Sequence, residues 1–145
     1  MDVLIIITSA ILGVFLGAQL AEAFLIVPYW KSLSKGQFYV FYERYGAGIH
    51  RFFAPLTIAS SLLPVLLLVL SYIKSDERFY WIVGLVACVV LFFGTYFVYF
   101  KAANEAFTKG TFDSGKLKIE LIRWGRWHWF RIVFEALAFF ILLML

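Results

Sequence analysis

Four stretches of this sequence, roughly Leu4–Val27, His50–Ile73, Phe79–Phe100 and Arg126–Leu145, are apolar over about 20 residues or more. At about 1.5 Å of rise per residue, each is long enough as a helix to cross the hydrocarbon of a bilayer. Backbone polar groups in lipid must be satisfied within their own segment, so each run is expected to be a helix and the four to form a bundle. Little is left over: the chain has 145 residues, and no stretch outside the spans is long enough for a soluble domain. Composition agrees, since 63% of residues are hydrophobic and 15% charged, against about half and about a quarter in soluble domains. The expected fold is all-α: one domain over residues 1–145, a polytopic membrane protein built as a four-transmembrane-helix bundle.

The first span carries "AEA" at 21–23, which resembles a signal-peptide cleavage site. It has no basic leader and its apolar run is too long, so it is expected to be retained. Cys88 stands alone, which excludes an intrachain disulfide. Basic residues collect in two connections: Lys31, Lys35, Arg44 and Arg51 after the first span, and Lys101, Lys109, Lys116, Lys118, Arg123 and Arg126 after the third. The loop "KSDER" between the second and third is balanced. The positive-inside rule therefore expects both long connections in the cytoplasm and both termini outside. The net charge of +4 is then a topology signal, and no nucleic-acid partner is expected. With no sorting or lipidation motif, a bacterial inner membrane is the default location.

The connections carry structure of their own. In "SKGQFYVFYERYGAG", Ser34 and Gln37 have capping-box spacing, and Phe38, Phe41, Tyr42 and Tyr45 fall on one helical face. A cytoplasmic interfacial helix ending at Gly46 and Gly48 is expected there. "FTKGTFDSGK" reads as a turn, after which "LKIELIRW" starts a helix that continues into the fourth span. Ser9, Gly13, Gly17 and Ala21 make a small-residue stripe suited to close helix approach, and Pro55 and Pro64 are expected to bend the second span.

The fourth span sets the chemical question. Leu117, Leu121, Trp124, His128, Arg131, Glu135, Ala138 and Leu142 follow spacings of three and four, one seam turned toward neighbouring helices. Glu135 falls about 13 Å past Arg126 along that helix, near mid-membrane. A lone charge there costs about 2.5–3.5 kcal/mol on insertion scales. Gln19 and Glu22 near the end of the first span, His50 at the start of the second, and Asn104 and Glu105 after the third all fall toward the same side. Ionisable residues at such depth mark function by default, while pairing of Arg131 with Glu135 and Glu22 is the structural alternative.

Several chemistries suit this set. His50, His128 and Glu22 could ligate iron or copper as two histidines and a carboxylate. The two histidines could instead hold a haem. Without any cofactor, a histidine base beside an arginine could stabilise a phenolate-like anion. No phosphate loop and no Ser–His–Asp order is present.

Three further stretches carry a family likeness: "GVFLGAQLAEAFLIVP", "YFKAANEAF" and above all "WGRWHWFR", a Trp-x-x-Trp-His-x-x-Arg pattern. Over most of its length the chain resembles the anthrone-oxygenase-like family of small four-span membrane proteins, most of which have no assigned activity. The resemblance implies oxidation of an anthrone to an anthraquinone without a well-defined cofactor, and it implicates Asn104, Trp124, Trp127, His128 and Arg131. The expected function is thus a membrane-embedded oxidoreductase acting on a lipophilic aromatic or quinone-like substrate. His128, Arg131, Glu135 and Glu22 are its candidate catalytic groups, and Trp124, Trp127, Asn104 and Gln19 line the substrate. The rival from another class is a non-catalytic subunit or lipid-binding scaffold, docking a second copy or a membrane protein partner. Ion conduction ranks lower, because the outer half lacks ionisable groups.

Overall fold

The computed structural model describes residues 1–145 and contains helices only. Helix α1 runs Asp2–Ser32, α2 Lys35–Ile73, α3 Phe79–Lys109 and α4 Ser114–Leu143. Of the 120 backbone hydrogen bonds, 107 lie within these helices, which is the self-sufficiency that lipid demands. Three of the four, α1, α2 and α3, are long and apolar enough to cross a membrane. In α4 the apolar residues are interrupted by Arg126, Arg131 and Glu135. Helix α4 packs along α1 and α3, and α2 packs on the same two, so α2 and α4 stand at opposite corners.

The connections are short and capped. Ser34 and Gln37 form the expected capping box at the start of α2. Asp113 caps α4 by accepting from the Lys116 N–H at 2.8 Å. Gly110 closes α3 with φ 64°, a left-handed conformation that glycine adopts without a Cβ penalty. At the opposite end Arg78 donates to Asp76 and Asp2, each at 2.9 Å, and to the Leu145 carbonyl at 3.4 Å, tying both chain ends to the α2–α3 loop.

One expectation fails outright. Gly46 and Gly48 do not end a separate surface helix: α2 is unbroken for 39 residues and runs through both prolines. A mid-helix glycine costs only about 1 kcal/mol relative to alanine, too little to break a helix held at both ends. At about 1.5 Å per residue α2 is about 58 Å long, nearly twice the hydrocarbon thickness of about 30 Å. A helix of that length is longer than the apolar layer is thick. Near its start Phe38 is buried among Trp30, Tyr42 and Phe107.

Two cores result, and they differ in kind. One is aliphatic, built from Ile5, Leu12, Leu67, Ile82, Leu85, Ala138 and Leu142. The other is aromatic-rich, with Trp30, Phe38, Tyr99, Phe100, Phe107 and Trp124 at its centre. Along α1 and α4 the residues between the two cores include Gln19, Glu22, His128, Arg131 and Glu135, so a polar layer separates them. Of the two glycines in the small-residue stripe, a Cβ on Gly13 would lie 3.1 Å from the Phe139 ring, while one on Gly17 would meet nothing within 4 Å.

Candidate functional site in the polar layer

Two π-helical turns shape the polar layer, at Glu22–Ile26 in α1 and Tyr96–Phe100 in α3. A π turn carries one extra residue, so neighbours that a regular helix would splay apart can both face inward. Glu22 and Ala23 are both buried, as are Tyr99 and Phe100. The first π turn thus brings Glu22 into the bundle while preserving the packing of Val27 and Trp30 below it.

His128 is fully buried on α4. Its Nε2 lies 3.0 Å from the Gln19 carbonyl oxygen. A carbonyl can only accept, so Nε2 carries a proton, and Nδ1 has no partner. Glu22 Oε2 is 3.6 Å from the same Nε2. The imidazole stacks on Trp124 at 5.1 Å, and Trp124 is oriented in turn by its indole N–H, which donates to Asn104 Oδ1 at 3.1 Å. One chain of contacts therefore runs from Asn104 through Trp124 and His128 to Glu22.

Arg131 sits one turn further along α4 and makes no ion pair within 4 Å. Its guanidinium lies over the rings of Phe92, at 4.3 Å, and Phe100, at 4.7 Å. Aromatic faces attract a cation without consuming its N–H groups. The structural pairing of Arg131 with Glu135 and Glu22 is not formed, and Arg131 Nε, Glu135 Oε1 and both polar atoms of the Gln19 side chain are buried with no partner. Buried polar groups are normally satisfied. With His128 Nδ1, five such unpartnered atoms fall within this one layer.

A cleft of about 470 Å³ leads to this layer from the side of the bundle. It opens between α1 and α2 because no residue of α2 between Phe38 and Ser60 is buried. Ala18, Ile26, Ile49, Phe52 and Phe53 line it with apolar surface, and Glu22 is the single carboxylate in its wall. Behind Glu22 stands His128.

The remaining candidates lie elsewhere. His50 is exposed on α2, and no three His, Cys, Asp or Glu side chains come together in a way that could hold a metal ion. The set of His50, His128 and Glu22 is therefore not assembled, and His50 is exposed while His128 is fully buried. Glu105 is exposed and pairs with Lys109. Trp127 stacks on Tyr99 at 5.2 Å, and the Tyr99 hydroxyl donates to Glu120 at 2.5 Å. Sequence reasoning missed the cleft, both π turns and the Phe92–Phe100 bed of Arg131. The phenylalanines had a signal, since both fall on the buried stripe of the third span; the π turns had none.

A family model described as anthrone oxygenase matches residues 41–141. No curated protein and no solved structure matches the chain. The matched region covers α3, most of α2 and all but the last two residues of α4, including Asn104, Trp124, His128, Arg131 and Glu135.

Proposed function

The chain belongs to the anthrone oxygenase family, and on that premise we propose that it is a four-span membrane oxidoreductase drawing a lipophilic phenolic aromatic from the bilayer into the α1–α2 cleft. Helix α4 is the fourth span, with Glu135 buried in the bundle and Arg131 over the Phe92 and Phe100 rings of α3. The observation that carries this reading is the place of Glu22, a lone carboxylate in an apolar cleft wall with His128 directly behind it. Apolar clefts with a few convergent polar groups are the usual form of a small-molecule site.

The chemistry follows from the substrate class. An anthrone-type ring methylene flanked by aromatic rings and conjugated with a carbonyl gives up a proton to form a phenolate-like anion. Glu22 is the group placed to accept that proton. His128, fixed by the Gln19 carbonyl, stands 3.6 Å behind Glu22, and Asn104 and Trp124 orient His128. The positive charge of Arg131 favours the anion over the neutral ring. Dioxygen then oxidises the anion: one methylene and one O₂ become one ketone and one water, a four-electron oxidation matched by four-electron reduction of O₂. The proton taken by Glu22 leaves in the water.

The test is oxygen uptake by detergent-purified protein given an anthrone-type substrate. Glu22→Gln is expected to lower kcat at least about 100-fold, the lower end of what a positioned base contributes, with the melting temperature kept or raised. Uptake at the wild-type rate in Glu22→Gln would sink the role given to this carboxylate.

A further inference from the structure

The cleft does not end at Tyr45. A second cavity of about 260 Å³ is lined by Tyr29, Leu33, Gln37, Phe41, Arg44 and Tyr45, so Tyr45 borders both. Together they make one groove. Its α2 wall is Gln37, Phe41, Tyr45, Ile49 and Phe53 at strict spacing of four, and Ala18, Glu22, Ile26, Tyr29 and Leu33 face them at spacings of three and four. From Gln37 to Phe53 the groove is about 24 Å long, at about 1.5 Å per residue.

The two ends differ in chemistry. From Tyr45 to Phe53, about 12 Å, the wall is apolar except for Glu22. That length takes part of one acyl chain, its deeper end entering the span that begins at His50. The other end offers cation and donors. Arg44 is steadied over the Tyr45 ring at 5.5 Å. Gln37 uses its Oε1 to accept from the Ser34 N–H at 3.0 Å, which turns its NH₂ donors outward. Tyr29 and Tyr45 add hydroxyls, and no carboxylate lines this end.

We propose that the resident occupant of this groove is an anionic phospholipid, with its phosphate at Arg44 and Gln37 and one acyl chain along the Tyr45–Phe53 wall. The charge of Arg44 without an opposing carboxylate selects the headgroup, and the unburied stretch of α2 admits the chain. A substrate entering the cleft would displace that chain. Lipid occupancy does not depend on any chemistry at Glu22, so it survives if the oxidative role fails.

The experiment is native mass spectrometry of the full chain in detergent, titrated with an equimolar mixture of phosphatidylglycerol and phosphatidylcholine of identical acyl chains. Phosphatidylglycerol is expected to be retained preferentially. Arg44→Gln should reduce that preference about five-fold, the factor that corresponds to about 1 kcal/mol for one basic residue at a lipid surface. Lys118→Gln, which removes an exposed charge from α4, should leave it unchanged. Equal retention of the two lipids overturns the proposal. So does a preference that persists in Arg44→Gln, or one that Lys118→Gln weakens as much.

Discussion

His128 and Glu22 face each other at 3.6 Å across the α1–α4 contact, yet the histidine gives its proton to the Gln19 carbonyl instead. The backbone of α1 thereby fixes the ring, and the carboxylate is left without a dedicated donor. Glu22 is held next to a hydrogen-bond donor but not consumed by it. A purely structural pair would close that gap, because an unpaired buried carboxylate is costly in an apolar surrounding.

Two replacements separate packing from chemistry at His128. His128→Ala removes a fully buried ring and should cost about 2 kcal/mol or more through the cavity it leaves. His128→Phe refills the space and keeps the stack on Trp124. Thermal melting in detergent should therefore recover most of the loss in the Phe variant, while oxygen uptake stays low in both. Recovery of uptake along with stability would make the residue a spacer.

Arg131 and Glu135 lie one turn apart on α4 without touching, and Glu135 Oε1 has no partner. Arg131 is the half-buried cation of α4 nearest in sequence to Glu135, and no ion pair within 4 Å joins it to Glu135 or Glu22. Arg131→Met should destabilise the bundle, because it leaves both carboxylates uncompensated. Adding Glu135→Leu should return part of that loss, with a coupling of about 1–2 kcal/mol in a double-mutant cycle. Strictly additive single effects would mean that the two residues act independently.

Much of this was legible in the sequence, and the division is instructive. The seam Leu117–Trp124–His128–Glu135–Leu142 is buried as its spacing requires, with Arg131 half-buried beside it. Spacing reports a face of one helix, and α4 is regular throughout. It does not report where two helices part. The separation of α2 from α1 depends on residues that are apolar either way: Phe52 and Ile58 face outward, and their hydropathy is that of a packed residue. The π turn at Glu22 was hidden for a related reason, since an extra residue in a turn changes no composition. Gly46 and Gly48 misled because a breaker in an isolated peptide is a tolerable cost in a helix anchored at Phe38 and Leu67.

At the far end, Arg78 couples stability to pH. Its hydrogen bonds hold the Asp76 carboxyl down at about 2, against an ordinary value of 3.8. A carboxylate depressed in the folded state contributes stability above its unfolded pKa and loses it as pH falls through the folded value. The melting temperature should thus fall between pH 3.8 and about 2. Arg78→Gln should lower it at neutral pH and flatten the acid dependence in that window. A variant with the wild-type acid profile would mean that the clamp at Asp76 carries none of this dependence.

Gly48 provides the clearest separation of binding from folding. It lies within α2, lines the cleft, and a Cβ there would meet nothing within 4 Å. Replacing glycine in a helix by a good helix former should stabilise by about 0.5–1 kcal/mol. Gly48→Leu would also place four carbons in the space a substrate needs. The expected result is a melting temperature at or above wild type together with a raised KM. A kcat that falls less than KM rises would mark lost binding rather than lost chemistry. An unchanged KM would show that substrate reaches Glu22 by a route other than the α1–α2 cleft, such as the α1–α4 side, where a Cβ added to Gly125 would lie 3.1 Å from the Lys31 Nζ.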